Sequence, residues 1–97
     1  MFARVTTVYL RKDLIDKALK LFKESVIPAA KKQEGFKSIS FLLDRESGKM
    51  FVVSFWDSKE NIEANEESRY YLDQILKSMV TFSTDPFKES FEVVLQT

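Results

Sequence analysis

Ninety-seven residues are enough for one hydrophobic core and too few for two, so a single domain over residues 1–97 is expected. Fifteen Lys and Arg offset fifteen Asp and Glu, which leaves no net field to attract a phosphate backbone or an anionic membrane. The absence of Cys and His removes disulfides, thiolate nucleophiles, zinc–cysteine sites, the commonest general base and the commonest metal ligand.

Phe2 to Leu10 carries Val5, Thr6, Thr7, Val8 and Tyr9, a β-branched and aromatic run that predicts a strand. Asp13 is the expected N-cap of a helix in which Leu14, Ile15, Ala18, Leu19, Phe22, Val26 and Ala29/Ala30 recur at helical spacing as far as Gln33. Pro28 predicts a kink or a switch of helix segment, and Gly35 is placed for the turn beyond the C-cap.

Phe36 to Asp44 alternates Ile39, Phe41 and Leu43 with polar residues, and Met50 to Trp56 is the returning strand of a hairpin around Gly48. Asp57 or Ser58 then caps a second helical region, with Glu60 placed for a capping box on Asp57. Its apolar stripe is Leu72, Ile75, Leu76 and Met79. Pro86 ends the following loop, and Phe87 to Leu95 reads as the last strand.

The β-α-β-β-α-β order predicts the α+β class: a ferredoxin-like sandwich with a four-stranded antiparallel sheet and both helices on one face. In the third strand, Phe51, Val53 and Phe55 alternate with Met50, Val52 and Trp56, so both of its faces are apolar. A sheet that is apolar on both sides is covered on both sides. The expected cover for the helix-free face is a second copy of the same sheet, giving a sheet-to-sheet homodimer.

Candidate site residues lie near the second helical region. Trp56, at the end of a strand, either walls a pocket for a flat aromatic ligand or closes one end of the core or of the dimer interface. Tracing the stripe back from Met79 reaches Ser68, Asn65 and Asn61, so the inward face turns polar if the helix is continuous. The alternative is a helix break near Asn65–Ser68, with one of these residues as an N-cap. Tyr71 is placed to hydrogen-bond a phenolic ligand or to sit at the core edge. Together Trp56, Asn65, Ser68 and Tyr71 form the expected substrate-binding set; catalytic residues are not assigned. Paired acids such as Glu66-Glu67 and Asp13/Asp16 lack the converging oxygens of a cation site, so no metal is expected.

Val26-Ile27-Pro28, Glu34-Gly35-Phe36, the hairpin Asp44-Arg45-Glu46-Ser47-Gly48-Lys49 and Phe55-Trp56-Asp57-Ser58-Lys59-Glu60 together resemble the antibiotic-biosynthesis-monooxygenase (ABM) family. The resemblance implies a dimeric α+β barrel and oxygenation of quinol-like or polycyclic aromatic substrates without metal or flavin. That family often places a His about nine residues after the Trp; here Asn65 holds the position, followed by Glu66. A heme-degrading branch uses a first-strand Asn and a His together with the Trp, and only Trp56 of that set is present.

The resemblance thus implies a cofactor-independent monooxygenase of a small aromatic or quinol-type substrate, with no heme, flavin or metal. Proton handling would fall to Tyr71, to water held by Asn65, or to Glu66. The alternative is a non-catalytic homodimeric module of the same fold that binds a small apolar ligand or is purely structural. RNA-recognition motifs share the element order, but Gly48, Phe51 and Val52 alone match their third-strand signature, so no nucleic acid is expected. The N-terminal residues carry no positive cap followed by an apolar run, and no stretch approaches 18 apolar residues. The expectation is a cytoplasmic protein without a membrane partner.

Overall fold

A computed structural model describes residues 1–97. Four strands, β1 (Phe2–Tyr9), β2 (Phe36–Leu43), β3 (Lys49–Trp56) and β4 (Phe87–Glu92), form one antiparallel sheet in the order β2-β3-β1-β4. The helices α1 (Ile15–Leu21), α2 (Ile27–Lys31), α3 (Lys59–Glu67) and α4 (Arg69–Ser78) complete the ferredoxin-like α+β fold.

The register divides the sheet into two unlike faces. On one, Leu43, Met50 and Val8 form a row, followed by Phe41–Val52–Thr6–Lys88, then Ile39–Ser54–Arg4–Ser90, then Phe36–Trp56–Phe2–Glu92. Val8, Met50 and their neighbours meet Ile15, Ala18, Phe22, Val26, Ala29, Ala30 and Tyr71 from the helices, and this is the core. The opposite face carries the rows Leu42–Phe51–Thr7–Phe87, Ser40–Val53–Val5–Glu89 and Ser38–Phe55–Ala3–Phe91. Leu42, Phe51, Phe87 and Phe91 are exposed there.

The first helical region differs from its expected outline. Asp13 is not an N-cap: a 3-10 turn over Lys12–Leu14 comes first, with Leu14 N–H donating to the Arg11 carbonyl. The helix then widens into a π-turn over Phe22–Val26, where Ile27 N–H reaches back five residues to the Phe22 carbonyl. Pro28 follows at once. It has no N–H to return to the preceding turn, so the change of helix type falls just ahead of it. The last segment stops at Lys31, and Gly35 takes φ +78° in the turn that leads into β2.

In the second half the structure chooses between the readings left open and shortens the last strand. Ser58, not Asp57, caps α3, its hydroxyl oxygen accepting from Asn61 N–H at 3.1 Å. The helical region breaks at Ser68, which is extended (ψ 114°) and caps α4 by accepting from Tyr71 N–H at 3.3 Å. That break resets the helical phase. Tyr71 and Ser78 become the buried positions of α4, while Leu72, Leu76 and Met79 are exposed rather than core. β4 ends at Glu92, not Leu95: Glu92 stands opposite Phe2, Val93 N–H reaches the Met1 carbonyl, and β1 offers no further partner.

Candidate functional site

Between the helix-covered face of the sheet and α4 lies a cavity of about 250 Å³. Its apolar walls come from every layer of the fold. The π-turn contributes Phe22 and Val26, the sheet contributes Val8, Phe41, Met50 and Val52, and α4 with its following turn contributes Leu72, Ile75, Met79 and Phe82. Phe22 and Phe41 stack at 5.0 Å between ring centroids, and Phe82 tilts against Phe22 at 6.4 Å. These rings supply the flat apolar surface that sequence reasoning sought from Trp56. Phe22 and Val26, four residues apart, lie on one face of this turn and share the wall.

The polar part of the lining is small: Arg4, Thr6, Ser54, Glu66, Tyr71 and Lys88. Arg4 and Ser54 face one another across β1 and β3. Arg4 is 5% exposed, with its guanidinium carbon 5.5 Å from the Trp56 ring centre and 5.8 Å from that of Tyr71. Its nearest carboxylate oxygen is Oε2 of Glu66 at 3.6 Å, and Lys88 approaches the same oxygen at 3.9 Å. Burial pushes the Tyr71 phenol above its ordinary pKa, while the charge and N–H groups of Arg4 partly offset the shift. Tyr71 is therefore a neutral hydrogen-bond donor at physiological pH.

Of the four residues expected to bind substrate, Tyr71 alone lines the cavity. Trp56 lies in the same layer but is fully buried, with Arg4 over its ring, Phe36 edge-on at 5.4 Å, and its Nε1–H donating to Ser54 Oγ at 2.9 Å. Asn65 is 1% exposed on the buried side of α3, and neither its amide nitrogen nor its amide oxygen has a hydrogen-bond partner within the chain. Ser68 is spent on the α4 cap. Sequence reasoning missed Arg4, Ser54 and Lys88. Arg4 shares its strand phase with Val8, but both phases of β1 mix polar with apolar residues, so alternation alone did not single it out. No three acidic side chains converge as a cation site would require.

A model of the antibiotic biosynthesis monooxygenase family matches residues 1–75, more than half of the chain. The chain belongs to the ABM family. The resemblance read from the Val26–Pro28, Glu34–Phe36 and Phe55–Glu60 segments is thereby met. An uncharacterized protein of Mycobacterium tuberculosis is 31% identical over 67 residues, which cover 69% of this chain and 30% of that protein. The ABM chain thus spans under a third of the length of the curated relatives it matches.

Among solved structures, SnoaB, a cofactor-independent oxygenase from Streptomyces nogalater, superimposes with a TM-score of 0.80 at 10% identity, over 98% of this chain and 94% of that one. A second Mycobacterium tuberculosis protein gives 0.78 at 13% identity, over 98% and 96%. These likenesses establish a shared fold. No helix is long and apolar enough to cross a membrane.

Proposed function

We propose that this ABM protein is a cofactor-independent monooxygenase acting on a small aromatic or quinol-type substrate. The observation that carries the reading is the cavity itself: apolar walls with a few placed polar groups, enclosed by the sheet and helix surfaces that define the family fold. A substrate ring lies against Phe22 and Phe41. Loss of a proton from the substrate leaves an electron-rich carbanion that reduces dioxygen. One oxygen atom stays on the ring carbon and the other leaves as water, so that CH2 and O2 become C=O and H2O. All four electrons come from the substrate, and the chemistry calls for no flavin or metal.

The protein's part is exclusion of water, orientation and proton handling. Tyr71, a neutral phenol whose burial raises its pKa further, donates a hydrogen bond to a substrate oxygen, and Glu66, the one carboxylate in the lining, accepts the proton. Oxygen consumption with a hydroquinone or naphthoquinol tests the reading. Uptake above the uncatalysed rate, slowed about tenfold or more in Tyr71→Phe, supports it.

The total absence of His favours a second reading, a non-catalytic ligand-binding module. Binding of the same quinols without oxygen uptake would support that alternative. In either case the active assembly is proposed to be a homodimer joined through the helix-free sheet face.

A further inference from the structure

Three ionised side chains line the cavity, and they do not balance. Arg4 and Lys88 are cations and Glu66 is the single carboxylate. Arg4 is the deep one, its side chain 6% exposed, whereas Glu66 and Lys88 are one-third and one-half exposed and stand nearer the mouth. A buried cation is costly unless a carboxylate meets it at close range. Glu66 Oε2, at 3.6 Å, is too far for the short paired hydrogen bonds that a guanidinium makes with a carboxylate, and Lys88 competes for the same oxygen. Tyr71 contributes no compensating charge. The planar cation is held between the Trp56 and Tyr71 rings, facing a space walled by the Phe22 and Phe41 rings. That combination, a fixed fork of donors beside a stacked apolar wall, matches a ring that carries a carboxylate.

We infer that the cavity takes a small aromatic carboxylic acid, bound as its anion with the carboxylate on Arg4, and that Glu66 stands in the place this carboxylate would occupy. The cavity, at about 250 Å³, lies just below the ~300–1,000 Å³ usual for drug-sized ligands, so the acid has one or two rings. On binding, Glu66 gives up Arg4 and keeps Lys88. The inference rests on the cavity being the ligand site proposed above, and does not depend on whether oxygen reacts there.

The test is calorimetric titration under nitrogen with naphthoate and its uncharged analogue naphthamide. Naphthoate is expected to bind about tenfold or more tightly than naphthamide, as a charge-assisted pair requires. Arg4→Met should abolish that preference, and Arg4→Lys should keep only part of it, because it keeps the charge and loses the fork. Glu66→Gln should tighten naphthoate binding several-fold and by more than it tightens naphthamide, since it removes a like charge as well as a competitor for Arg4. Glu66 is a rim residue, so this variant decides the matter even if Arg4→Met does not fold. Equal affinity for the two probes, or a Glu66→Gln affinity for naphthoate that is unchanged or weaker, overturns the inference. If neither probe binds, this inference falls, and the oxygenase reading is then decided by oxygen uptake from quinols. A naphthoate preference without oxygen uptake from quinols overturns that reading alone, and uptake without the preference overturns this one alone.

Discussion

Arg4 shows how a single residue can decide a site while staying hidden in the sequence. On β1 the phase Arg4–Thr6–Val8 and the phase Ala3–Val5–Thr7 each mix polar with apolar residues, so alternation does not say which of them faces the helices. Trp56 was legible as a covered side chain, because both phases of β3 are apolar, but not as one on the helix side of the sheet. That Arg4 would come to lie over its ring and screen it from the cavity was not legible either. Tyr71 offers a check at the same scale. Its folded pKa lies above the ordinary tyrosine value of 10.0, so the unfolded chain gives up this proton at a lower pH than the folded one. The contribution is fully present below pH 10 and is lost as pH rises toward and through the folded value. Chemical denaturation across that alkaline range should show stability falling with pH, and Tyr71→Phe should flatten the fall. A Tyr71→Phe profile parallel to that of the native protein would mean that the phenol titrates normally.

At the scale of the element, caps and breakers decide where the site's walls stop and start. The break at Ser68 was one of two readings open in the sequence, since Ser and Asn are both strong N-caps. The hydroxyl that caps α4 settles which one holds, and with it the phase that turns Tyr71 inward. Ser68→Ala is expected to cost about 1 kcal/mol in a urea melt, and Ser68→Asn to retain most of that. A loss for Ser68→Ala within a few tenths of a kcal/mol would show that burial of Tyr71, not the cap, holds the break.

Gly35 is the second such point. Its φ of +78° is a conformation that L residues seldom adopt, and an added Cβ would run into the Asn61 side chain, which is itself tied to Ser58 at 2.8 Å. Gly35→Ala should therefore destabilise by about 1–3 kcal/mol. Adding Asn61→Ala should recover part of the loss by removing the clash and leaving the backbone strain. No recovery in the double variant would assign the whole cost to backbone conformation. The π-turn, by contrast, was only half legible: Pro28 announced a change of helix, but not that a π-turn over Phe22–Val26 would precede it.

At the scale of the whole molecule the helix-free face carries the argument. Its centre is the Val53–Val5 pair, flanked by rows that bring Phe51 and Phe87 to one side and Phe55 and Phe91 to the other, with Ala3 small enough to sit between the last two. Phe87 is 62% exposed and Phe91 50%. The two-sided apolar pattern of β3 made this face readable in the sequence. A patch of this kind, rimmed by Ser38, Ser40 and Glu89, usually marks an interface. Because the face is roughly symmetric about its centre and the chain has no net charge, a second copy can meet it across a two-fold axis without long-range repulsion. Each Phe that becomes fully covered contributes roughly half of the ~1.5–3 kcal/mol of a wholly exposed side chain, since about half of each residue is already covered, and in a two-fold contact each counts twice. Sedimentation at micromolar concentration should therefore show a dimer. Phe51→Asp and Phe91→Asp should each convert it to a folded monomer, because the new charge would be buried without a partner in the dimer but is solvated in the monomer. Circular dichroism should stay native-like in both variants, as neither ring packs in the core. A native protein that sediments as a monomer, or aspartate variants that stay dimeric, would leave this face exposed and put the contact elsewhere.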